Sequence, residues 1–255
     1  MAGTLWKGII HFGDTDVPVK LHSAVREERI QFHLLHRRDG VRLHQQMICA
    51  YEEKPVPVAD QTKGYEVEEG RFILVDPEEL EATTPEGSRL IEVHEFVPRV
   101  QIDPIFIERV YSLEPDGSAE GYGVLTAALQ ELDAAGICTW TMRKRSYLGA
   151  VQGSGGLLRL HTLRHADEVV AVSALGLQEI PVSDRELQIG RDLIGQLTAP
   201  FQPEKFVNEH EQKLRGLIEK KARGEKVAVL RPKLLQPTSG DKLLQALEAS
   251  LKKVA

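Results

Sequence analysis

The stretch WTMRKRSYLGAVQGSGGLLRLHTLRH, residues 140–165, alternates apolar and polar side chains and contains no acidic residue. Alternation with a period of two is typical of β-strands, in which successive side chains point to opposite faces. The GSGG segment at 153–156 separates two alternating runs and predicts a hairpin turn. Because the chain as a whole is acidic, the central question is what the cations of this stretch face: Arg143, Lys144, Arg145, Arg159 and Arg164.

Similar short runs occur throughout the first two thirds of the chain, separated by Gly, Pro and Asp. They predict strands over residues 6–12, 17–23, 71–75, 89–97, 105–113, 136–144, 147–152 and 156–163. One helix, from about Ala119 to Leu132, interrupts them, with its apolar residues on one face. The pattern predicts a fold that is mainly β with some α, as a barrel or a sandwich.

The hydrophobic period becomes helical after residue 182. Ser183 and Glu186 have the spacing of a capping box and predict the start of one helix. A second, strongly charged helix is predicted from Glu204 to Arg223, and residues 225–240, which contain Pro and Gly, predict a linker. The segment 241–255 predicts a short amphipathic helix that cannot bury its apolar stripe alone and so docks on a partner through Leu243, Leu244, Leu247 and Leu251.

Composition and charge limit the classes of protein that this chain can belong to. No apolar run reaches the length of a membrane helix, and Cys49 and Cys138 show no CxxC spacing, which together predict a cytoplasmic protein without membrane contact. The net charge is −6, but residues 202–255 carry twelve Lys and Arg against seven Asp and Glu, or +5. A polyanion responds to such local charge, because screening limits the range of interaction to roughly 8–10 Å.

No segment nominates a catalytic group, so the sequence predicts neither an enzyme nor a cofactor. The GSGG segment joins two strands and precedes no helix, unlike a phosphate loop. A run of three histidines and one cysteine, with irregular spacing, leaves a metalloenzyme as a weaker alternative, built on His33, His36, His44 and Cys49.

A second basic island precedes the first in the chain. It supplies Arg29, Arg37, Arg38 and Arg42 against the single acid Asp39, with a turn predicted at Asp39–Gly40. Neither island has the interleaved aromatic residues that stack bases or the pattern of a recognition helix, which favours contact with a duplex backbone without sequence readout. The alternative is a β-barrel interaction module that acts through its C-terminal helix, with solvated cations.

Strand alternation predicts which cations of residues 140–165 share a face. Arg143 and Arg145 lie on one face and Lys144 on the other, unless a turn begins at Ser146. The hairpin at GSGG brings Arg159 back toward the same patch.

Five blocks of the sequence, in order, resemble bacterial Ku over nearly the whole chain. They are WKGIIHFGDTDVPVKLHSA near the start, KGYEVEEGRFILVDPEELEA at 63–82, EFVPRVQIDPIFIERVYSLEPD at 95–116, LHTLRHADEV at 160–169 and APFQPEKFVNEHEQKLRGLIEKK at 199–221.

The resemblance implies a homodimeric ring that threads double-stranded DNA ends in non-homologous end joining and recruits a multifunctional ATP-dependent DNA ligase at the bacterial nucleoid. It implies a Ku-type barrel over 1–182 with an inserted arm at about 31–71, a helical dimerisation region at 183–224 and a ligase-binding tail at 241–255. The phosphate contacts expected on this basis are Arg29, Arg37, Arg38, Arg42, Lys54, Lys63, Arg143, Lys144, Arg145 and Arg159.

The chain departs from the family pattern in its arm and its tail. Cys49 is followed by Ala50, Tyr51 and Glu52, so the CxxC of many relatives is missing. Gln45, Gln46 and Met47 stand where relatives tend to be basic, and no long lysine-rich extension follows the tail. The smaller positive charge predicts weaker or more end-restricted DNA binding than in extended relatives.

Overall fold

A closed barrel of seven strands forms the centre of the protein. The computed structural model describes residues 3–26, 29–117, 119–172, 176 and 182–225. The barrel strands are β1 (Trp6–Phe12), β2 (Thr15–Ser23), β5 (Leu90–Pro98), β6 (Ile107–Pro115), β7 (Ala134–Met142), β8 (Arg145–Ser154) and β9 (Leu157–Leu163). They are hydrogen-bonded in the order β1-β2-β6-β9-β8-β7-β5, and the parallel pairing of β5 with β1 closes the ring. The predicted mainly-β fold is confirmed.

The barrel interior holds the hydrophobic core because alternate side chains of each strand point inward. Ile10, Val19, Leu21, Leu158 and Leu160 are fully buried and belong to one core cluster. On β9 the buried residues alternate with Arg159 and His161, which face outward. This is the period of two that the sequence predicted.

One helix, α2 (Ala119–Glu131), covers one end of the barrel. The Tyr122 hydroxyl donates a hydrogen bond to the Leu113 carbonyl (2.7 Å) and accepts one from the Leu158 amide (2.8 Å). A Cβ on Gly153 would lie 2.6 Å from the Thr126 carbonyl, so glycine permits the close approach of helix and strand. We call this the helix-covered end.

The opposite end of the barrel carries the β7–β8 turn and is called the open end. Residues 24–89 leave and re-enter the barrel here, since Ser23 pairs with Tyr111 on β6, and Ile91 pairs with Trp140 near the end of β7. This insertion contains β3 (Lys63–Glu68), β4 (Arg71–Val75) and α1 (Pro77–Ala82). Two short hairpins precede them, closed by the bridges Leu35–Arg42 and Ile48–Pro55.

A second compact unit contains residues 29–32 and the described residues after 171. It includes α3 (Asp184–Leu197) and α4 (Glu209–Ala222). The predicted capping box is confirmed, because the Glu186 carboxylate accepts from the Ser183 amide (2.9 Å) and the Ser183 hydroxyl accepts from the Glu186 amide (3.4 Å). The hydrogen bonds from Ser183 lower the pKa of Glu186.

The second helix begins five residues later than predicted. Residues 203–205 form a 3₁₀ turn, and Asn208 caps α4 by accepting from the Glu211 amide (3.1 Å). Pro203 and the Asn cap therefore outweighed the charged pattern that suggested a start at Glu204. Within the described ranges, no helix combines the length and apolarity needed to cross a bilayer.

Candidate nucleic-acid interface

Arg143 and Lys144 form the two-residue turn between β7 and β8. Met142 and Arg145 pair across the turn, and both central residues have positive φ angles, 52° and 63°. Such a turn matches the twist of a hairpin but favours Asn and Gly, because a side chain costs roughly 1–2 kcal/mol in the left-handed region. Two cations thus occupy a backbone conformation that their side chains disfavour.

This turn corrects the predicted arrangement of the cations. Strand alternation was expected to continue through residue 144 and to put Arg143 and Arg145 on one face. The strand instead ends at Met142, so Arg143 and Lys144 belong to neither face. The sequence did not reveal the turn because neither Arg nor Lys is a turn-forming residue.

Arg145 and Arg109 lie in core-facing registers at the rim of the open end. Arg145 pairs with the buried Met142, and Arg109 pairs with the buried Thr162. Paired residues project from the same side of a sheet, so both side chains start on the inner side while remaining exposed at the mouth. Sequence analysis missed Arg109, although an arginine in the inward register of Tyr111 and Leu113 is the signal that would have revealed it.

A β-bulge sets the position of Arg109. The pairing of β6 with β9 shifts between Ile107 and Arg109, and the Arg109 amide donates to the Thr162 hydroxyl (3.0 Å). Bulges bend a strand and re-aim its side chains, and here the bulge lies at the barrel rim. Contact with the Tyr111 hydroxyl, followed by the charge of Glu108, raises the pKa of Arg109.

The cations of the open end differ in how far nearby acids neutralise them. Lys144 Nζ lies 2.7 Å from Glu81 Oε1 at the end of α1, and this hydrogen bond and charge lower the pKa of Glu81. The Arg109 Nε is 3.9 Å from Glu108, too far for a hydrogen bond. Arg143 and Arg145 have no acidic partner among the described residues. Among the described residues, none of the three arginines forms a hydrogen bond to a carboxylate as Lys144 does.

The second basic island forms an exposed hairpin in the insertion. The predicted turn at Asp39–Gly40 is confirmed: Leu35 pairs with Arg42 across it, and the Gly40 amide donates a hydrogen bond to the His36 carbonyl. Asp39 accepts from the Val41 amide (3.0 Å) and bonds His36 (2.8 Å), and these bonds lower its pKa. The only acid of the island is thus engaged locally, which leaves three cations exposed: Arg37, Arg38 and Arg42.

The remaining predicted cations of the first third are exposed but dispersed. Lys54 belongs to the hairpin closed by Ile48 and Pro55 and lies 4.0 Å from Glu52. Lys63 begins β3 opposite Val75. Arg29 falls in the second compact unit. These three therefore belong to segments other than the open-end rim and the hairpin that contains Arg37, Arg38 and Arg42.

Arg159 lies at the other end of the barrel from Arg145. It pairs with Gln152, seven residues along β8 from Arg145, which corresponds to roughly 23 Å at about 3.3 Å per residue. The GSGG turn is confirmed, with Gly155 and Gly156 both at positive φ, but the expectation that it brings Arg159 to the same patch is wrong. A hairpin returns a residue to the strand position opposite it, and that position lies at the helix-covered end.

The candidate metal ligands do not assemble within the ranges that the structure describes. No group of three or more His, Cys, Asp and Glu side chains there lies close enough to hold an ion. His36 is engaged with Asp39 instead, and the amides of Glu52 and Tyr51 lower the pKa of Cys49. The four leucines assigned to partner binding, Leu243, Leu244, Leu247 and Leu251, fall outside the described residues.

The arrangement has the features of a β-barrel protein that binds a polyanion through charge. Its rim arginines lie on a hairpin turn and a bulge, while the second island extends from the barrel on an insertion. Guanidinium groups pair well with phosphate oxygens, and such contacts carry no sequence information.

Comparison with known proteins agrees with this class. The family profile described as the Ku70/Ku80 beta-barrel domain matches residues 11–189. A non-homologous end joining protein Ku 2 of Geotalea uraniireducens (strain Rf4) is 72% identical over 253 residues, which is 99% of each chain. The Ku 1 of the same strain is 33% identical over 98% of this chain and 97% of its own length. The Ku of Anaeromyxobacter sp. (strain K) is 40% identical over 98% of this chain and 86% of its own.

The chain therefore belongs to the Ku family, as its five sequence blocks predicted. The profile runs from the end of β1 to the start of α3, which covers more than half of the chain.

Proposed function

We propose that this protein binds the ends of double-stranded DNA in non-homologous end joining, without reading sequence. Besides family membership, the observation that supports this proposal is the Arg143–Lys144 turn at the open end, where two cationic residues adopt a disfavoured backbone conformation. Conformational strain of this kind persists where function requires it. The nearby Arg109 and Arg145 add phosphate-binding groups at the same rim.

The contacts proposed are with phosphate rather than with bases. The rim contributes Arg109, Arg143, Lys144 and Arg145, and the insertion contributes Arg37, Arg38 and Arg42. Each phosphate neutralised releases counterions, so affinity should fall steeply with salt. Arg29, Lys54, Lys63 and Arg159 are weaker candidates, since the first three belong to other segments and Arg159 lies at the opposite end of the barrel from the rim.

We further propose a homodimeric ring that encloses the duplex with the arms, about residues 31–71 within each insertion, and dimerises through residues 183–224. Exposed apolar side chains support this assembly. A two-stranded sheet is marginal alone, yet β3 and β4 expose Tyr65, Phe72 and Leu74. On α3, Ile194 and Leu197 are likewise exposed. A twofold assembly would present each basic cluster twice around the duplex.

The partner beyond DNA is proposed to be an ATP-dependent DNA ligase, contacted by the amphipathic stripe of segment 241–255. In this scheme the protein holds and protects an end, carries out no chemistry itself and acts at the nucleoid in the cytoplasm. Changing Leu244 and Leu247 to Ala should then spare DNA binding and weaken ligase stimulation. Loss of both activities would assign the segment to the structural core instead.

The decisive experiment compares one short linear duplex with open ends and the same duplex with both ends closed by bulky hairpins. A ring that threads onto ends binds the open duplex strongly and the closed one weakly. Equal binding to both would refute end recognition. Binding to neither would favour the interaction-module alternative.

Replacing Arg143, Lys144 and Arg145 together with Ala tests the assignment of the rim. Binding to the open duplex should weaken, and the slope of log K against log salt should become shallower by about 0.9 for each phosphate that a subunit no longer neutralises. An unchanged slope would remove these side chains from the interface.

A further inference from the structure

A cavity of about 520 Å³ opens at the mouth of the barrel beside the arginine rim. Its lining includes Arg109, Arg143, Tyr111, Tyr147, Met142 and Glu108. The volume lies within the roughly 300–1,000 Å³ that small-molecule sites occupy. The cavity therefore accommodates more than a single phosphate group.

Two tyrosines of the cavity lining, Tyr111 and Tyr147, belong to a cluster of aromatic rings. Tyr147 stacks on Trp140 with ring centroids 4.9 Å apart and an interplanar angle of 27°. Tyr111 and Trp6 contact the same indole edge-on, at 5.9 and 5.7 Å. The packing fixes the Tyr147 ring at the cavity wall, so a planar ligand would meet a preorganised surface.

The cavity thus combines two recognition chemistries. Two guanidinium groups, Arg109 and Arg143, line the same space as Tyr147. The one lining carboxylate, Glu108, is 3.9 Å from Arg109 and does not form a short hydrogen bond with it. Guanidinium with aromatic surface is the combination that holds nucleotides, through phosphate pairing and base stacking.

We propose that this cavity binds an unpaired nucleotide at a DNA end, with its phosphate on Arg109 and Arg143 and its base against Tyr147. The proposal rests on the proposed end-binding function and adds a site for a frayed or overhanging terminal nucleotide. An acidic peptide would satisfy the arginines but would not use the aromatic wall, so a nucleotide is the better match.

Intrinsic tryptophan fluorescence gives a readout next to this site, because Trp140 packs against the lining residues Tyr111 and Tyr147. The chain has two tryptophans, Trp6 and Trp140, and both belong to the aromatic cluster. The full-length protein is titrated with thymidine 5′-monophosphate, with thymidine, with inorganic phosphate and with a short Asp/Glu peptide. We expect saturable quenching by the nucleotide and binding at least about tenfold weaker for each other probe, as expected when either recognition element is absent.

Two variants and one matched control locate the binding. Arg143→Asn keeps a residue that tolerates the left-handed turn, and Arg109→Gln removes the second cation. Each should weaken nucleotide binding by about tenfold or more. Arg99→Gln removes an arginine at the opposite end of the barrel, where Arg99 pairs with Asp133 (2.7 Å), and should leave the titration unchanged.

Several outcomes would overturn the proposal: no quenching by the nucleotide, equal affinity for the peptide or for phosphate alone, or equal weakening in the Arg99→Gln control. Binding of the open duplex, measured in parallel, separates this failure from failure of the proposed function. A protein that binds duplex ends but not the nucleotide refutes only the cavity. One that quenches with the nucleotide but ignores open ends refutes the end-binding role on which the proposal rests.

Discussion

Replacing the Arg143–Lys144 turn with Asn-Gly should stabilise the protein while weakening its binding to DNA. The φ angles of 52° and 63° place both residues in the left-handed region, where an ordinary side chain costs roughly 1–2 kcal/mol. Gly removes this cost at position 144, and Asn reduces it at position 143. Removing the ion pair of Lys144 with Glu81 offsets little of this gain, since both side chains are largely exposed.

The expected net gain in the free energy of unfolding is about 1–2 kcal/mol, which raises the Tm by roughly 2–4 °C for a chain of this size. Thermal unfolding monitored by circular dichroism measures this gain, and titration with an open-ended duplex measures the fall in affinity. The matched control changes Arg143 and Lys144 to Ala. It removes the same charges but keeps a Cβ at both positions, so DNA binding should fall equally without the rise in Tm.

A Tm for the Asn-Gly variant that is equal to or below that of the unaltered protein would refute the strain argument. A gain in stability with undiminished DNA affinity would mean that the turn is strained for a reason other than contact with phosphate. The Ala control distinguishes these cases, because it removes the charges without relieving the backbone.

Three further predictions concern a buried tyrosine of the barrel, the two cysteines and a partly buried histidine. Tyr122→Phe should lower the free energy of unfolding by about 1–3 kcal/mol, because two backbone groups lose the buried hydroxyl; an unchanged denaturation midpoint would argue against this bridge. Iodoacetamide should label Cys49, whose pKa is lowered, and spare Cys138, whose burial raises its pKa to about 12, until the protein unfolds; mass spectrometry showing equal labelling in the native state would contradict this. Burial, and then the charge of Arg159, lower the pKa of His161 in the folded protein. The resulting contribution to stability is complete above the ordinary pKa of 6.5, and it is lost as the pH falls from 6.5 toward the lower pKa of the folded state. Arg159→Gln should raise the pKa of His161 in an NMR titration, and an unmoved pKa would mean that burial alone sets it.

Periodicity within a segment was enough to predict most of the barrel. The alternation in β1 and β9 and the Ser183–Glu186 capping box depend on local chemistry, which a sequence displays directly. Closure through the parallel pairing of β1 with β5 depends on residues some eighty positions apart, and it entered the prediction only through resemblance to the family.

The candidate site was harder to predict because it depends on where strands end. Arg143 was predicted in a strand but lies in the β7–β8 turn, which the sequence did not indicate because this turn contains no Gly, Asn or Asp. Arg159 was predicted at the wrong end of the barrel because the strand register, which decides the residue opposite Arg159, was not known from the sequence. The alternation of Arg109 with Tyr111 and Leu113 was visible in the sequence, whereas the bulge beside it arises from the pairing of two strands and not from either one alone.

The pairing of β1 with β5 has a consequence for how the chain folds. The strand that starts the barrel must wait for a neighbour that follows the whole insertion, and β6 must wait for β9. Contacts between residues so far apart in sequence require a large loss of loop entropy before they stabilise the fold, which slows folding. During synthesis, β1 and β2 would therefore leave the ribosome as an open hairpin, and the ring of hydrogen bonds would be completed only after β9 has emerged.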